Sequence, residues 1–190
     1  MKNSELNVKL IHPKAAMPEY AHPGDLGMDV YAVSVEYEKD TDTYVYHTGI
    51  SMESNKGVGV LASVRSSNCR TQCYMPNNPG IIDTATYRGE IIFKFKNRTA
   101  FGVRASLLAN QLYNSAPWYK KLFMNYDEFV KIALTQLDPM DYKPYEVGDK
   151  IGQLIVMKFI SAECKKINKL SKTSRGSGGF GSTDKKINKK

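Results

Sequence analysis

The run MDVYAVSVEY (residues 28–37) decides the fold class. It is rich in β-branched and aromatic side chains, alternates in part between apolar and polar, and follows the turn signal HPGD (22–25). That pattern is the signature of a strand with one buried face. Runs of the same kind lie on either side: NVKLI (7–11), TYVYHTGI (43–50), GVGVLASV (57–64), EIIFKFK (90–96) and IGQLIVMKF (151–159). KDTD (39–42), ESNKG (53–57) and NNPG (77–80) punctuate them as turns. Many short strands with Gly/Pro punctuation predict an all-β domain, a sandwich, barrel or jelly roll.

One segment departs from this pattern. From Ser106 to Leu137 the periodicity turns helical, with Trp118, Leu122, Tyr126, Phe129, Ala133 and Leu137 falling on one face. Pro117 suits the first turn. A helical insertion around 106–140 is expected, its apolar face packed on the host sheet, with an interface to another protein as the alternative.

The chain of 190 residues is long enough for one substantial core. It has no run of about 18 apolar residues, and the start MKNSELNVKLIHPK lacks a signal peptide's apolar block. A cytoplasmic protein, or a nuclear one, with no membrane association is therefore expected. Three cysteines (Cys69, Cys73, Cys164) predict free thiols rather than a disulfide framework or a zinc site. The net charge of +8 is segregated: from Lys165 onward there are nine Lys/Arg and one acid, so the whole excess lies in the last 26 residues. That suggests a body over 1–160 and a flexible basic arm over 161–190, attracted to polyanions.

The arm carries RGSGGFGST (175–183), which approaches the P-loop pattern. Ser182 stands where that pattern needs lysine, and too little chain follows for a helix, so the P-loop reading fails. Other polar clusters sit at the ends of the strand-like runs: GDLGMDVYA (24–32), VRSSN (64–68), NNPGIIDTATYRGE (77–90) and GDKIGQLI (148–155). Taken singly, each reads as a turn or a surface pair.

In this order, with RGSGGFGST last, the five stretches resemble the five motifs of the homotrimeric dUTPase family, over essentially the whole chain apart from the insertion. The resemblance implies a distorted jelly-roll trimer that hydrolyses dUTP to dUMP and pyrophosphate with Mg²⁺ and keeps uracil out of DNA. Asp83 would activate the water that attacks the α-phosphorus. Tyr87 would pack under the deoxyribose, and Asn77, Gly80 and Ile82 belong to the hairpin that would read uracil. Arg65, Ser66, Ser67 and Gln153 would hold the phosphate chain. Asp29 would lie near the water shell of a Mg²⁺ bound mainly by the phosphates. Arg175, Gly179, Gly181, Ser182 and Thr183 would close over the phosphates of a neighbouring subunit's site, with Phe180 stacked on the base. Glycines let that backbone approach phosphate oxygens closely.

The chain departs from the family pattern in places. Three residues, Thr84, Ala85 and Thr86, separate Asp83 from Tyr87, where the family usually has two. A one-residue bulge is expected to absorb the difference. Lys150 replaces a common arginine and Gly152 a common alanine. Some phage and viral relatives carry an extra segment near the insertion, which suggests a phage or viral member. Two alternatives stand beside the hydrolase: a dCTP deaminase-type enzyme of the same fold, in which Arg70 would match a later arginine, and a regulatory binding protein on this scaffold.

Overall fold

The computed structural model describes residues 5–55 and 57–177. It divides into two units, 1–160 and 161–190. The first holds ten strands among the described residues: β1 (Leu6–Leu10), β2 (Gly27–Tyr31), β3 (Ser34–Glu38), β4 (Thr43–His47), β5 (Ile50–Ser54), β6 (Val58–Ser63), β7 (Cys73–Tyr74), β8 (Gly80–Ile82), β9 (Ile92–Asn97) and β10 (Lys150–Lys158). There are two four-stranded antiparallel sheets, in the orders β2-β10-β6-β8 and β3-β4-β9-β7, and a separate two-stranded β1-β5 sheet. This is the all-β jelly-roll architecture, with sheets that do not close into a barrel.

Two runs that read as single strands are each divided. MDVYAVSVEY gives β2 to one sheet and β3 to the other, because Ala32 leaves the strand to pair with the 148–149 turn (Ala32 N to Asp149 O, 3.0 Å; Gly148 N to Ala32 O, 2.8 Å). TYVYHTGI breaks at Thr48, whose buried hydroxyl donates to Ile91 O. Backbone groups that bond elsewhere, as those of Ala32 do, are lost to the strand's own ladder.

The inner faces of the two larger sheets share one core, built from Val30, Tyr44, Tyr46, Val60, Phe93, Phe95, Ile151 and Leu154 among others. Aromatic side chains also fix the segment that leads into β10. Tyr46 donates its hydroxyl to Tyr145 O at 2.7 Å and accepts from Tyr145 N at 3.1 Å, while Phe95 meets the Tyr145 ring edge-on at 5.4 Å. Each is an aromatic pair or buried hydrogen bond of the kind that specifies one arrangement of a core.

The insertion differs from expectation in extent, continuity and packing. It starts earlier, at Phe101, and forms three helices: α1 (Phe101–Ser115), α2 (Trp118–Phe123) and α3 (Tyr126–Gln136). Pro117 holds Ala116 extended and ends the first helix. Asn125 starts the third, with a reciprocal capping box to Glu128. The continuous face from Trp118 to Leu137 is thereby cut: Phe129 and Ala133 are buried, while Trp118 and Leu122 are exposed. The buried pair packs with Ala109 of α1 in a small cluster of its own, so the hairpin closes on itself instead of covering the sheet. No helix among the described residues is long and apolar enough to cross a membrane.

In the second unit, residues 161–177 form no strand or helix; Gly176 N closes a turn on Thr173 O at 3.2 Å. All three cysteines are free, Cys73 buried and the others exposed.

Gly152 occupies the middle of β10 because Phe93 lies against its Cα: an added Cβ would meet the ring at 2.1 Å. The Phe93 ring is fully buried and cannot turn aside. Gly152→Ala is expected to destabilise the fold by about 1–3 kcal/mol, an overpacking penalty, measured by urea denaturation.

Candidate functional site

The strand order brings the polar clusters side by side. β2 carries Asp29, β10 carries Lys150 and Gln153, and β6 runs into Arg65. β10 lies between the other two, with Gln153 opposite both Asp29 and Ser63, and Lys150 opposite Tyr31. β8, beyond β6, leads directly into Asp83. Asp29, Lys150, Gln153 and Arg65, far apart in sequence, therefore meet at one end of this sheet, while the register of β8 on β6 (Ala62 opposite Gly80, Val60 opposite Ile82) sets Asp83 toward the start of β6.

The first group is centred on the Asp29 carboxylate, whose residue is 1% exposed. Oδ1 receives Arg65 Nε at 3.0 Å and Gln153 Nε2 at 3.2 Å, and Oδ2 receives Lys150 Nζ at 3.0 Å. Burial pushes the Asp29 pKa up, but the hydrogen bonds from Lys150 and Gln153 and the charges of Arg65 and Lys150 outweigh it and hold the carboxyl below its usual range. Arg65 contributes only Nε to this contact, and neither Nη has a partner among the described residues. Its guanidinium fork is free to take an anion in bidentate geometry. Ser66, on the short 3-10 helix Ser66–Arg70, is exposed, whereas Ser67 is half-buried beside the Tyr145 hydroxyl.

Both Asp29 oxygens are thus engaged by neighbouring side chains, and the carboxylate orders the two cations beside it. The described residues contain no group of three His, Cys, Asp or Glu side chains suited to hold a metal. Such a donor set fits only an ion that arrives with its own ligands.

The second group lines a cavity of about 210 Å³ with Asn77, Gly80, Ile82, Asp83, Tyr87 and Glu90 among its walls. β8 is an edge strand, so alternate residues keep their N–H and C=O groups off the ladder and available to a flat, amide-like ring. Asp83 is exposed, and its carboxylate has no partner among the described residues. The expected bulge before Tyr87 is a turn: Thr86 N and Tyr87 N both donate to Asp83 O, at 2.9 and 2.8 Å. The added residue is held by Thr84, fully buried, whose hydroxyl bonds to Ser54 and to Val58 O.

Tyr87 is clamped in turn. Its hydroxyl donates to Glu90 O at 3.0 Å, and its ring lies so close over Gly89 that a Cβ there would meet the hydroxyl at 2.3 Å. Glu90 also accepts from Gly49 N at 2.7 Å and pairs with His47 Nδ1 at 2.8 Å, a contact that raises the His47 pKa.

Of the expected site residues, Asn77, Gly80, Ile82, Asp83 and Tyr87 come together in the cavity, and Asp29, Arg65 and Gln153 in the charged group. Arg65, Ser66, Ser67 and Gln153 are not among the cavity's lining residues, which include no Lys or Arg. Arg175 is exposed in the second unit. Gly179, Phe180, Gly181, Ser182 and Thr183 lie outside the described residues. Three residues were not foreseen in the site. Lys150 shows itself only through strand register, and Glu90 only through the cavity. Asn78, whose Oδ1 accepts from Ser63 Oγ and Val64 N at 2.9 and 3.2 Å, ties the hairpin to the strand before Arg65.

Residues 130–184 match the dUTPase family model. Across 180 residues the chain is 29% identical to the deoxyuridine 5'-triphosphate nucleotidohydrolase of Helicobacter pylori strain J99, covering 94% of this chain and 96% of that protein. The enzyme of the same name from Trichodesmium erythraeum is also 29% identical over 180 residues, covering 94% and 98%.

Along nearly its whole length the chain is similar to dUTPases.

Solved structures of dUTPases share its fold. The Staphylococcus bacteriophage 80alpha dUTPase with dUPNHPP superposes with a TM-score of 0.60 at 22% identity, covering 94% of this chain and 97% of that one. The dUTPase from phage phi11 of S. aureus, described with a species-specific insert, gives 0.57 at 20% identity, covering 89% and 99%.

Asp29→Asn leaves Arg65 and Lys150 without their counter-charge. It is expected to cost about 3 kcal/mol at neutral pH, the low end for breaking a buried pair. Because the folded pKa of Asp29 is depressed, the wild-type advantage is complete above the ordinary carboxylate value of about 4. It shrinks as the pH falls below that and is gone once the pH has passed through the lower folded value. Paired urea titrations from neutral to acidic pH measure both.

Proposed function

We propose that this protein hydrolyses dUTP to dUMP and pyrophosphate, with Asp83 as the base that activates the attacking water. The observation that carries the reading is the cavity in which an unpaired Asp83 carboxylate, a clamped Tyr87 and the open edge of β8 face one another. Backbone donors and acceptors at Gly80 and Ile82, with Asn77, would read the uracil edge, because a base that leaves them unpaired loses affinity. Tyr87 would lie against the deoxyribose, where its clamped ring leaves no room for a 2′-hydroxyl. Asp83 would take the proton of the water, a contribution of about 10²–10⁴-fold.

A triphosphate brings roughly four negative charges, and the cavity lining has no cation to meet them. Arg65, with its free guanidinium fork, and Ser66 are suited to that task, with Gln153 and Asp29 holding Arg65 in place. Mg²⁺ would come with the phosphates, their oxygens and water being its main ligands; bound there, it would neutralise charge on the phosphate chain. The protein's own part is to orient the chain and to hold the water.

A cavity without cations and a cation group outside its lining support a site assembled between copies, in a homotrimer. Arg175, Ser182 and Thr183 of a third segment would close over the phosphates, with Phe180 on the base. An arm that orders over bound substrate acts as a lid.

Asp83→Asn is expected to lower dUTP turnover by at least about 10²-fold without loss of folding, in an assay of dUMP and pyrophosphate with Mg²⁺. Ammonia released from dCTP would instead identify a deaminase. Sites shared between copies also predict complementation. Asp83→Asn and Arg175→Ala chains, each inactive alone, regain activity when unfolded and refolded together; continued inactivity would assign each site to one chain.

A further inference from the structure

Lys150 is the one cation of the charged group with no part yet in handling substrate. Arg65 uses a single nitrogen on Asp29 Oδ1, and the other carboxylate oxygen is taken by Lys150 Nζ at 3.0 Å. A carboxylate with both oxygens open draws a guanidinium into a two-pronged pair, Nε and Nη together. Lys150 blocks that second prong. It leaves Arg65 tethered at one atom, with both Nη groups turned to other use.

Lys150 is itself held from behind. It lies opposite Tyr31 in the strand register, with Nζ 5.5 Å from the ring centroid. The Tyr31 hydroxyl donates to Glu19 Oε1 at 2.6 Å. Glu19 in turn is bridged to Asp29 through the backbone, Asp29 N to Glu19 O at 2.8 Å and Glu19 N to Asp29 O at 3.3 Å. The path Glu19–Tyr31–Lys150–Asp29 thus returns to its start through the main chain, with Arg65 attached at Asp29. It is a closed brace, and a brace fixes geometry better than any of its members alone.

We propose that Lys150 is a positioning residue for phosphate binding: by occupying Asp29 Oδ2 it keeps Arg65 in a one-point contact with its fork free for the triphosphate. The inference rests on the reading that Arg65 holds the phosphate chain. Lys150 does not touch substrate in this scheme; it acts through Asp29 and Arg65.

The test is a double-mutant cycle of Lys150→Met and Arg65→Gln on the full chain. It is read both as KM and kcat for dUTP and as binding of inorganic tripolyphosphate by calorimetry. Lys150→Met is expected to raise KM and weaken tripolyphosphate binding about tenfold, the equivalent of one charge-assisted hydrogen bond, with kcat within about twofold. Lys150→Arg restores both. In the Arg65→Gln background Lys150→Met has no further effect, because the residue through which it acts is gone. Additive losses would overturn the proposal by showing that Lys150 meets the phosphates directly or acts as bulk charge. Unchanged KM and binding in Lys150→Met would overturn it as well. If Lys150→Met fails to fold, Tyr31→Phe removes the hydroxyl behind Lys150 and is expected to weaken tripolyphosphate binding about threefold, whereas no change would break the brace. Absent dUTP turnover with intact tripolyphosphate binding would refute the proposed activity while leaving the cycle readable on binding.

Discussion

A single negative charge, enclosed where three strands meet, organises this molecule. Asp29 is almost wholly removed from water, and such a charge is tolerated only when paired and hydrogen-bonded. Its partners come from β10 and from the end of β6, so satisfying Asp29 fixes how those strands sit on β2. β8 pairs with β6 and delivers Asp83, while Asn78 fastens the hairpin to the same strand. Through β6, the satisfaction of Asp29 therefore also bears on where the Asp83 carboxylate is held.

Much of this was legible in the sequence, and the failures have physical causes. The alternating runs give the strands, because the pleat puts every second side chain on one face. They do not give the sheets: nothing in MDVYAVSVEY marks Ala32 as the residue whose backbone turns to the 148–149 segment. The helical period was read correctly around Phe129 and Ala133, but it was extended across Asn125, whose capping box starts a new helix. Periodicity also cannot say what a face packs against. The expected partner was the sheet, and the actual one is α1.

The site shows the same division. Asp83, Tyr87 and Asn77 lie close together in the chain, and a hairpin keeps them so. Asp29 was expected near the water shell of a Mg²⁺ and Gln153 on the phosphates; what the sequence does not show is that the two side chains meet each other. Cross-strand register decides that, and register is set by pairing partners more than 100 residues away. Lys150 was noted only as a lysine in place of a common arginine; its contact with Asp29 depends on the same register, and a single ammonium on one carboxylate oxygen does a different job from a fork.

The helical hairpin carries its own small core and meets the body through a few named contacts: Phe101 N on Asp42, the Phe101 ring against Tyr37, and the Arg104 guanidinium over Tyr142. A segment with a core of its own is partly insulated from its host, even with Trp118, Leu122 and Phe123 left exposed. Changes on that outer face touch none of the side chains that pair with Asp29. Natural variation can thus accumulate at different rates in the two parts of this one chain, rapidly on the hairpin's exposed aromatic end and slowly along β2, β6 and β10.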